Sequence, residues 1–240
     1  QRQMCIRDRE SREDAEQQRS MMEVVDPDPH ALMLFVGSNR MWERGRYDDD
    51  FAHVRIGTAS QRARTHVSIG ETNAVEDIDP ICALALRRAL RESLVLSDVP
   101  VCLALGDFST VYIGGADGRK VVRSLLAQLI TLHGPEAVQI MVCGHPRSWP
   151  WLPWIPHSDG QEAFSDPEEV VKALDELWSD MSGASGSRDD SGPQVLLIID
   201  GAAPLAVAHH PAVASVIVVG TPDEDVMSET QRQQRRHVMD

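Results

Sequence analysis

The sequence predicts an α/β domain with a largely parallel sheet, and three observations predict it. Near-continuous apolar runs at 137–143, 195–199 and 213–219 are of the kind buried on both faces of a parallel sheet. Amphipathic stretches are interspersed with the apolar runs, the order of βαβ units. Residues 109–131 read as a strand, a glycine-rich turn and a helix. Ser109, Val111 and Ile113 alternate with Thr110 and Tyr112, and Gly114, Gly115 and Gly118 open the turn. Val122, Leu125, Leu126, Leu129 and Ile130 then recur at helical spacing.

Taken in order, residues 10–25 are polar and charged and read as a helix, frayed or the end of a longer one. The run Asp26-Pro27-Asp28-Pro29 stops it, since each proline keeps its predecessor out of the helical region. A helical pattern resumes over 30–42, with Leu32, Phe35 and Val36 on one side, followed by a charged loop ending at Phe51. Residues 53–57 and 65–70 read as two short strands. Asp79-Pro80 caps a helix through about Ser93, whose arginines suit the negative end of its dipole. A strand is expected over 101–105, a helix over 167–181 and a Gly/Ser/Asp-rich loop over 182–193.

The 240 residues suffice for one domain with appendages, and a core drawn from 42% hydrophobic but only 5% aromatic residues must be aliphatic. A net charge of −14 argues against a nucleic-acid groove or an anionic membrane surface as partner. No apolar run is long enough to span a bilayer. Cys82, Cys102 and Cys143 lack the spacing of a zinc site or a redox dithiol, and are expected to serve as small buried hydrophobes in a reducing compartment.

Two stretches carry candidate nucleotide chemistry. A strand, glycine turn and helix is the layout of a phosphate-binding loop, in which backbone N–H groups cradle anionic oxygens. A working loop has G-x-x-x-x-G-K-[ST], with lysine for the terminal phosphates and a hydroxyl for magnesium. Here Gly114, Gly115 and Gly118 are followed by Arg119 where the last glycine belongs, then Lys120, then Val121 in place of the hydroxyl. Asp117 adds a negative charge where phosphates would lie. The second stretch, 196–201, is an apolar strand ending in Asp200, the position from which an NTPase holds magnesium. Gly201 leaves empty the place of an acid that would activate water. The sequence therefore favours an NTPase scaffold with a degenerate nucleotide site, with no catalytic residue assigned, over a working one.

A third candidate is the segment 149–157, where Trp149, Trp151 and Trp154 crowd between prolines expected to keep it extended. Such aromatics either pack on their own domain or form a partner surface; the packing reading is favoured. His145, His157, His209 and His210 show no metal-ligand spacing, and no metal site is assigned.

Several short runs fall in a recognisable order: Met41-Trp42-Glu43-Arg44, Asp48 to Phe51, His53-Val54-Arg55-Ile56-Gly57 and Val75-Glu76-Asp77-Ile78-Asp79-Pro80. Ala85-Leu86-Arg87-Arg88, Val99-Pro100, Ile113-Gly114-Gly115, Leu132-His133-Gly134-Pro135 and the tryptophan segment come after them. Together they resemble the FtsK/SpoIIIE-type membrane ATPases of type VII (ESX) secretion systems, the EccC family, over nearly all of 26–220. The resemblance implies a three-layer, P-loop NTPase-like (RecA-like) domain with a short N-terminal β-rich segment. It places the end of a stalk or linker at 10–41, a degenerate ATPase-like domain at 42–221 and a polar linker or truncated end at 222–240. Residues 1–9 contain Met4-Cys5-Ile6-Arg7-Asp8-Arg9, which resembles a translated sequencing adapter and is expected to be extraneous.

The family's proteins carry two transmembrane helices and well-formed ATPase domains, both absent from this stretch. The resemblance implies a domain at the cytoplasmic face of the membrane, binding no cofactor itself while ATP and magnesium serve the parent protein. Implied partners are other membrane subunits, downstream ATPase domains and further copies in a hexamer, with no nucleic acid. The alternatives are an ATP-binding domain in its own right, through Lys120 and Asp200, and a piece of an FtsK-like DNA translocase, against which the acidic balance speaks.

Overall fold

The computed structural model describes residues 2–63, 95–182, 192–201, 207 and 209–220, the side chains of 2–12 and 181–182 excepted. The expected strand at 65–70, the helix opened by Asp79-Pro80, Cys82, most of the 182–193 loop and residues 222–240 lie outside them. The chain divides into two compact units, one of 1–28 with 55–102 and one of 29–54 with 103–240.

In the first unit, helix α1 spans Arg2–Val25 and packs Ala15 and Met22 with Leu96, Val99 and Ala63. Strands β1 (His53–Arg62) and β2 (Val95–Ala104) form a two-stranded sheet, both longer than the short strands expected. Gln61 donates to the Pro100 carbonyl at 2.8 Å, and Arg55 donates to the Asp26 carbonyl at 3.1 Å just past the end of α1.

The second unit holds the layered α/β architecture. Strands β3 (Thr110–Ile113), β4 (Val138–Gly144), β5 (Gln194–Asp200) and β6 (Val213–Val219) form a sheet in the order β3-β6-β5-β4, every pair parallel. The apolar runs recognised in the sequence are the three strands β4, β5 and β6. Their side chains alternate between two buried faces, as the period of a strand demands. On one face Ile140, Val142, Leu196, Ile198 and Ile217 meet helix α2 (Gly118–Leu132) through Val122, Leu125, Leu126 and Leu129. On the other, Met141, Leu197, Ile199 and Val216 meet Val170 and Leu174 of helix α3 (Pro167–Ser182). Helix, sheet and helix make the three layers expected.

The helix expected over 30–42 is instead a 3₁₀ turn, Pro29–Leu34, succeeded by further turns. Leu32 is buried, but Leu34 and Val36 are exposed and Gly37 takes a left-handed φ of 75°. Of the apolar residues expected on one side Leu32 alone is fully buried, too little to sustain a helix against Gly37 and Ser38. The next residues, 42–44, cap α2. The last carbonyls of a helix have no partner within it. Trp42 donates its backbone N–H to Thr131 at 2.9 Å and its indole N–H to Ile130 at 3.1 Å, and the Arg44 N–H reaches Leu132 at 2.9 Å.

Beside that cap sits fully buried His133. Its Nε2 accepts from the Ala52 N–H at 3.0 Å while Nδ1 faces the Leu129 carbonyl at 3.2 Å, which fixes a neutral ring. Ala52 is held in the left-handed region, φ 57°, by this bond and by the Leu105 N–H donated to its carbonyl. Burial, and secondly the Arg44 charge, lower the His133 pKa from 6.5 to about 4. The folded state therefore resists a proton that the unfolded chain takes up. Stability from this group is complete above pH 6.5 and is lost as pH falls toward 4, by up to about 3 kcal/mol. Melting temperature measured between pH 7 and 4.5 should fall accordingly, and His133→Gln should flatten the profile; an equally steep profile in the variant would assign the effect elsewhere.

Candidate functional site

The site lies where the strands end at their C-termini, the edge at which parallel α/β sheets bind ligands. Register aligns Ile113, Val219, Asp200 and Gly144 in one row across the sheet. Asp200 thus stands two strands from the glycine turn, roughly 10 Å at the ordinary strand spacing.

The glycines of the turn do different work. Gly115 has a φ of 89°, which costs glycine little and other residues more. Gly118 begins α2, and a Cβ there would lie 2.7 Å from the Ile113 carbonyl oxygen. It is glycine because strand and helix approach too closely for a side chain. Gly114 is the first residue after β3. On the neighbouring strand in the same row, a Cβ on Gly144 would lie 3.0 Å from the Asp200 Cβ, so the residue beside the acid is also held small.

The charged residues pair with one another. Arg119 sends Nε to Asp200 Oδ2 at 2.7 Å and Nη2 to Oδ1 at 2.9 Å, a bidentate fork. The Trp149 indole N–H donates to the same Oδ2 at 2.8 Å. The Asp200 side chain is only 4% exposed, whereas that of Arg119 is 48% exposed. The hydrogen bonds to Asp200, then its charge, raise the Arg119 pKa, so the guanidinium stays ionised. Lys120 points away and pairs with Asp117 at 2.6 Å, both exposed, and Val121 is partly exposed on the surface. Asp117, read in the sequence as a repulsion for phosphate, faces Lys120 in this solvent-exposed pair.

These residues do not fit a magnesium nucleotide. Both carboxylate oxygens of Asp200 are taken by N–H donors, the lysine is occupied elsewhere and no hydroxyl comes after it. Among the described residues no cluster of three acids, histidines or cysteines could hold a metal ion. A cavity of about 20 Å³ lies at the opposite end of the sheet, lined by Val138, Gln194 and Ser215, with room for about one water.

The tryptophan segment is folded, not extended. It runs through the 3₁₀ turns Leu152–Trp154 and Pro156–Ser158, preceded by Pro146–Ser148, and a proline stands first or second in each. Trp149 is 1% exposed, so it drops out of the expected partner surface and belongs to the core. Trp151 packs edge-on to it at 5.8 Å and is half-buried, while Trp154 is 85% exposed. Arg123, one helical turn beyond Arg119, lies 5.6 Å over the Trp149 ring and donates to the Ser148 carbonyl at 2.5 Å. Sequence reasoning missed Arg123 and the partnership of Arg119 with Asp200. The available signal was an arginine in the glycine's place together with an acid left without its usual partners.

No family model matches the chain. It is 37% identical over 206 residues to the ESX secretion system protein EccC of Thermomonospora curvata, covering 79% of this chain and 16% of that protein. It is 30% identical over 217 residues to the ESX-3 secretion system protein EccC3 of Mycobacterium tuberculosis, covering 82% and 16%. ESX-4 secretion system protein EccC4 of the same species matches at 32% over 142 residues, 57% of this chain and 12% of its own. The chain therefore spans about a sixth of the length of the curated relatives it matches over most of its own length. The solved cytoplasmic domain of the Thermomonospora curvata type VII secretion ATPase EccC superposes with a TM-score of 0.39 at 12% identity. That match covers 60% of this chain and 20% of that one.

Gly118→Ala separates the two reasons for glycine. In an open helix the change would stabilise by about 1 kcal/mol; here the clash with Ile113 should make it destabilising by about 1–3 kcal/mol in urea unfolding. A more stable variant would contradict the close strand–helix approach.

Proposed function

Because this chain belongs to the EccC family of ESX secretion systems over about four fifths of its length, we propose that it is a non-hydrolysing, membrane-proximal cytosolic domain of such an ATPase. Its role is to couple movement driven by ATP in other domains to protein export. The observation that carries this reading is the glycine-turn site: the scaffold of a nucleotide site is present, and its charged residues are paired with each other instead of being aimed at phosphate. A rigid α/β layer without turnover suits transmission of movement. ATP and magnesium, on this reading, serve other domains of the parent protein.

The partners proposed with it are other membrane subunits of the secretion complex, the neighbouring ATPase domains and further copies in a hexamer at the cytoplasmic face of the membrane. Among the described residues no helix is long and apolar enough to cross a membrane. Exposed Trp154 is the residue of the tryptophan segment best placed to meet a partner.

Steady-state ATP turnover by the full 240-residue chain tests the proposal. No turnover above background is expected. Turnover that disappears in Lys120→Ala would overturn it in favour of an ATPase domain in its own right.

A further inference from the structure

We propose that Arg119 is a built-in cation, which stands at the Asp200 carboxylate in place of a metal–nucleotide pair. It thereby clasps the glycine turn, the end of β5 and the tryptophan segment in one state that no nucleotide addresses. The proposal rests on the non-hydrolysing reading above but concerns the site alone.

The Asp200 side chain is buried, and a buried carboxylate left without partners is expensive. Three N–H groups supply it, two from Arg119 and one from Trp149, and both oxygens are engaged. A divalent cation at the same carboxylate would have to expel the guanidinium, and while the guanidinium stays, the two positive charges repel. The contact joins segments 81 and 51 residues apart in the chain. Arg123 reinforces it from the next turn of α2, through the Trp149 ring and the Ser148 carbonyl. The first two turns of α2 therefore hold the start of the segment that presents Trp154. In a working nucleotide site these elements would answer to the bound phosphate; here an arginine of the chain itself fixes them. Lys120, exposed and paired with Asp117, takes no part.

The test is thermal unfolding of the full chain and of Arg119→Met, Asp200→Asn and the double variant, each with and without millimolar magnesium ATP. The Trp149 indole N–H resonance is monitored in parallel, identified among the five tryptophans by its loss in Trp149→Phe. Arg119→Met should lower the melting temperature by about 5 °C and shift that resonance, since a buried charge loses its counter-ion. The double variant should recover most of the loss, because the charge has gone. Magnesium ATP should leave both the melting temperature and the resonance of the parent chain unchanged. Should Arg119→Met fail to fold, Arg119→Lys, which keeps the charge and loses the fork, should give an intermediate loss. An arginine variant as stable as the parent, a double variant no better than the single, or a saturable rise of the parent's melting temperature with magnesium ATP would each overturn the clasp. A domain found dispensable for export would overturn the coupling role and leave these results standing.

Discussion

The structure turns on the carboxylate of Asp200. It ends a strand buried on both faces, so its charge sits at the lip of the most apolar part of the molecule. Parallel register then sets what stands beside it: Gly144 on one side, small because a side chain would strike the acid, and Val219 on the other. Neither can neutralise a negative charge. The donors come instead from the first turn of α2 and from Trp149, and both elements are positioned by the need to reach that carboxylate. Gly118 allows this, since only glycine lets α2 begin so close to the end of β3. The residue that removes a phosphate-loop signature, Arg119, is the same one that makes the acid tolerable.

The opposite end of α2 is fixed by different means. Trp42 and Arg44 donate to its last carbonyls, and His133 turns its ring back onto Leu129 and Ala52. The helix is thereby tied at one end by a charge pair and at the other by backbone and ring hydrogen bonds, with four apolar residues packed on the sheet between. His157, whose Nε2 donates to the His133 carbonyl at 2.8 Å, links the tryptophan segment to the same cap. Burial lowers its pKa as it does that of His133, so the region is built from neutral rings. The helix is therefore held at both termini.

Much of this fold is legible in the residues alone. Strands β4 to β6 follow from near-continuous apolar runs, β3 from alternation, and helices α2 and α3 from period-3.6 patterns. The 30–42 segment misleads because Leu32, Phe35 and Val36 mimic a helical stripe of which Leu32 alone is fully buried. In the tryptophan segment, prolines that begin 3₁₀ turns look, in sequence, like prolines that extend a chain. The site is half legible. Arg119 and Val121 in the loop, and Gly201 after Asp200, each count as a defect when taken singly. Their compensation depends on two residues 81 positions apart meeting across a sheet, and no local pattern encodes strand order. Trp149 as a third donor is hidden for the same reason, since composition shows three crowded tryptophans but not which one is buried.

On the reading proposed above, a nucleotide scaffold is closed by its own side chains. Isothermal titration of the full chain with the magnesium complex of a non-hydrolysable ATP analogue measures it most directly. No saturable heat is expected at millimolar analogue. Saturable one-site binding, weakened by Lys120→Ala, would contradict it.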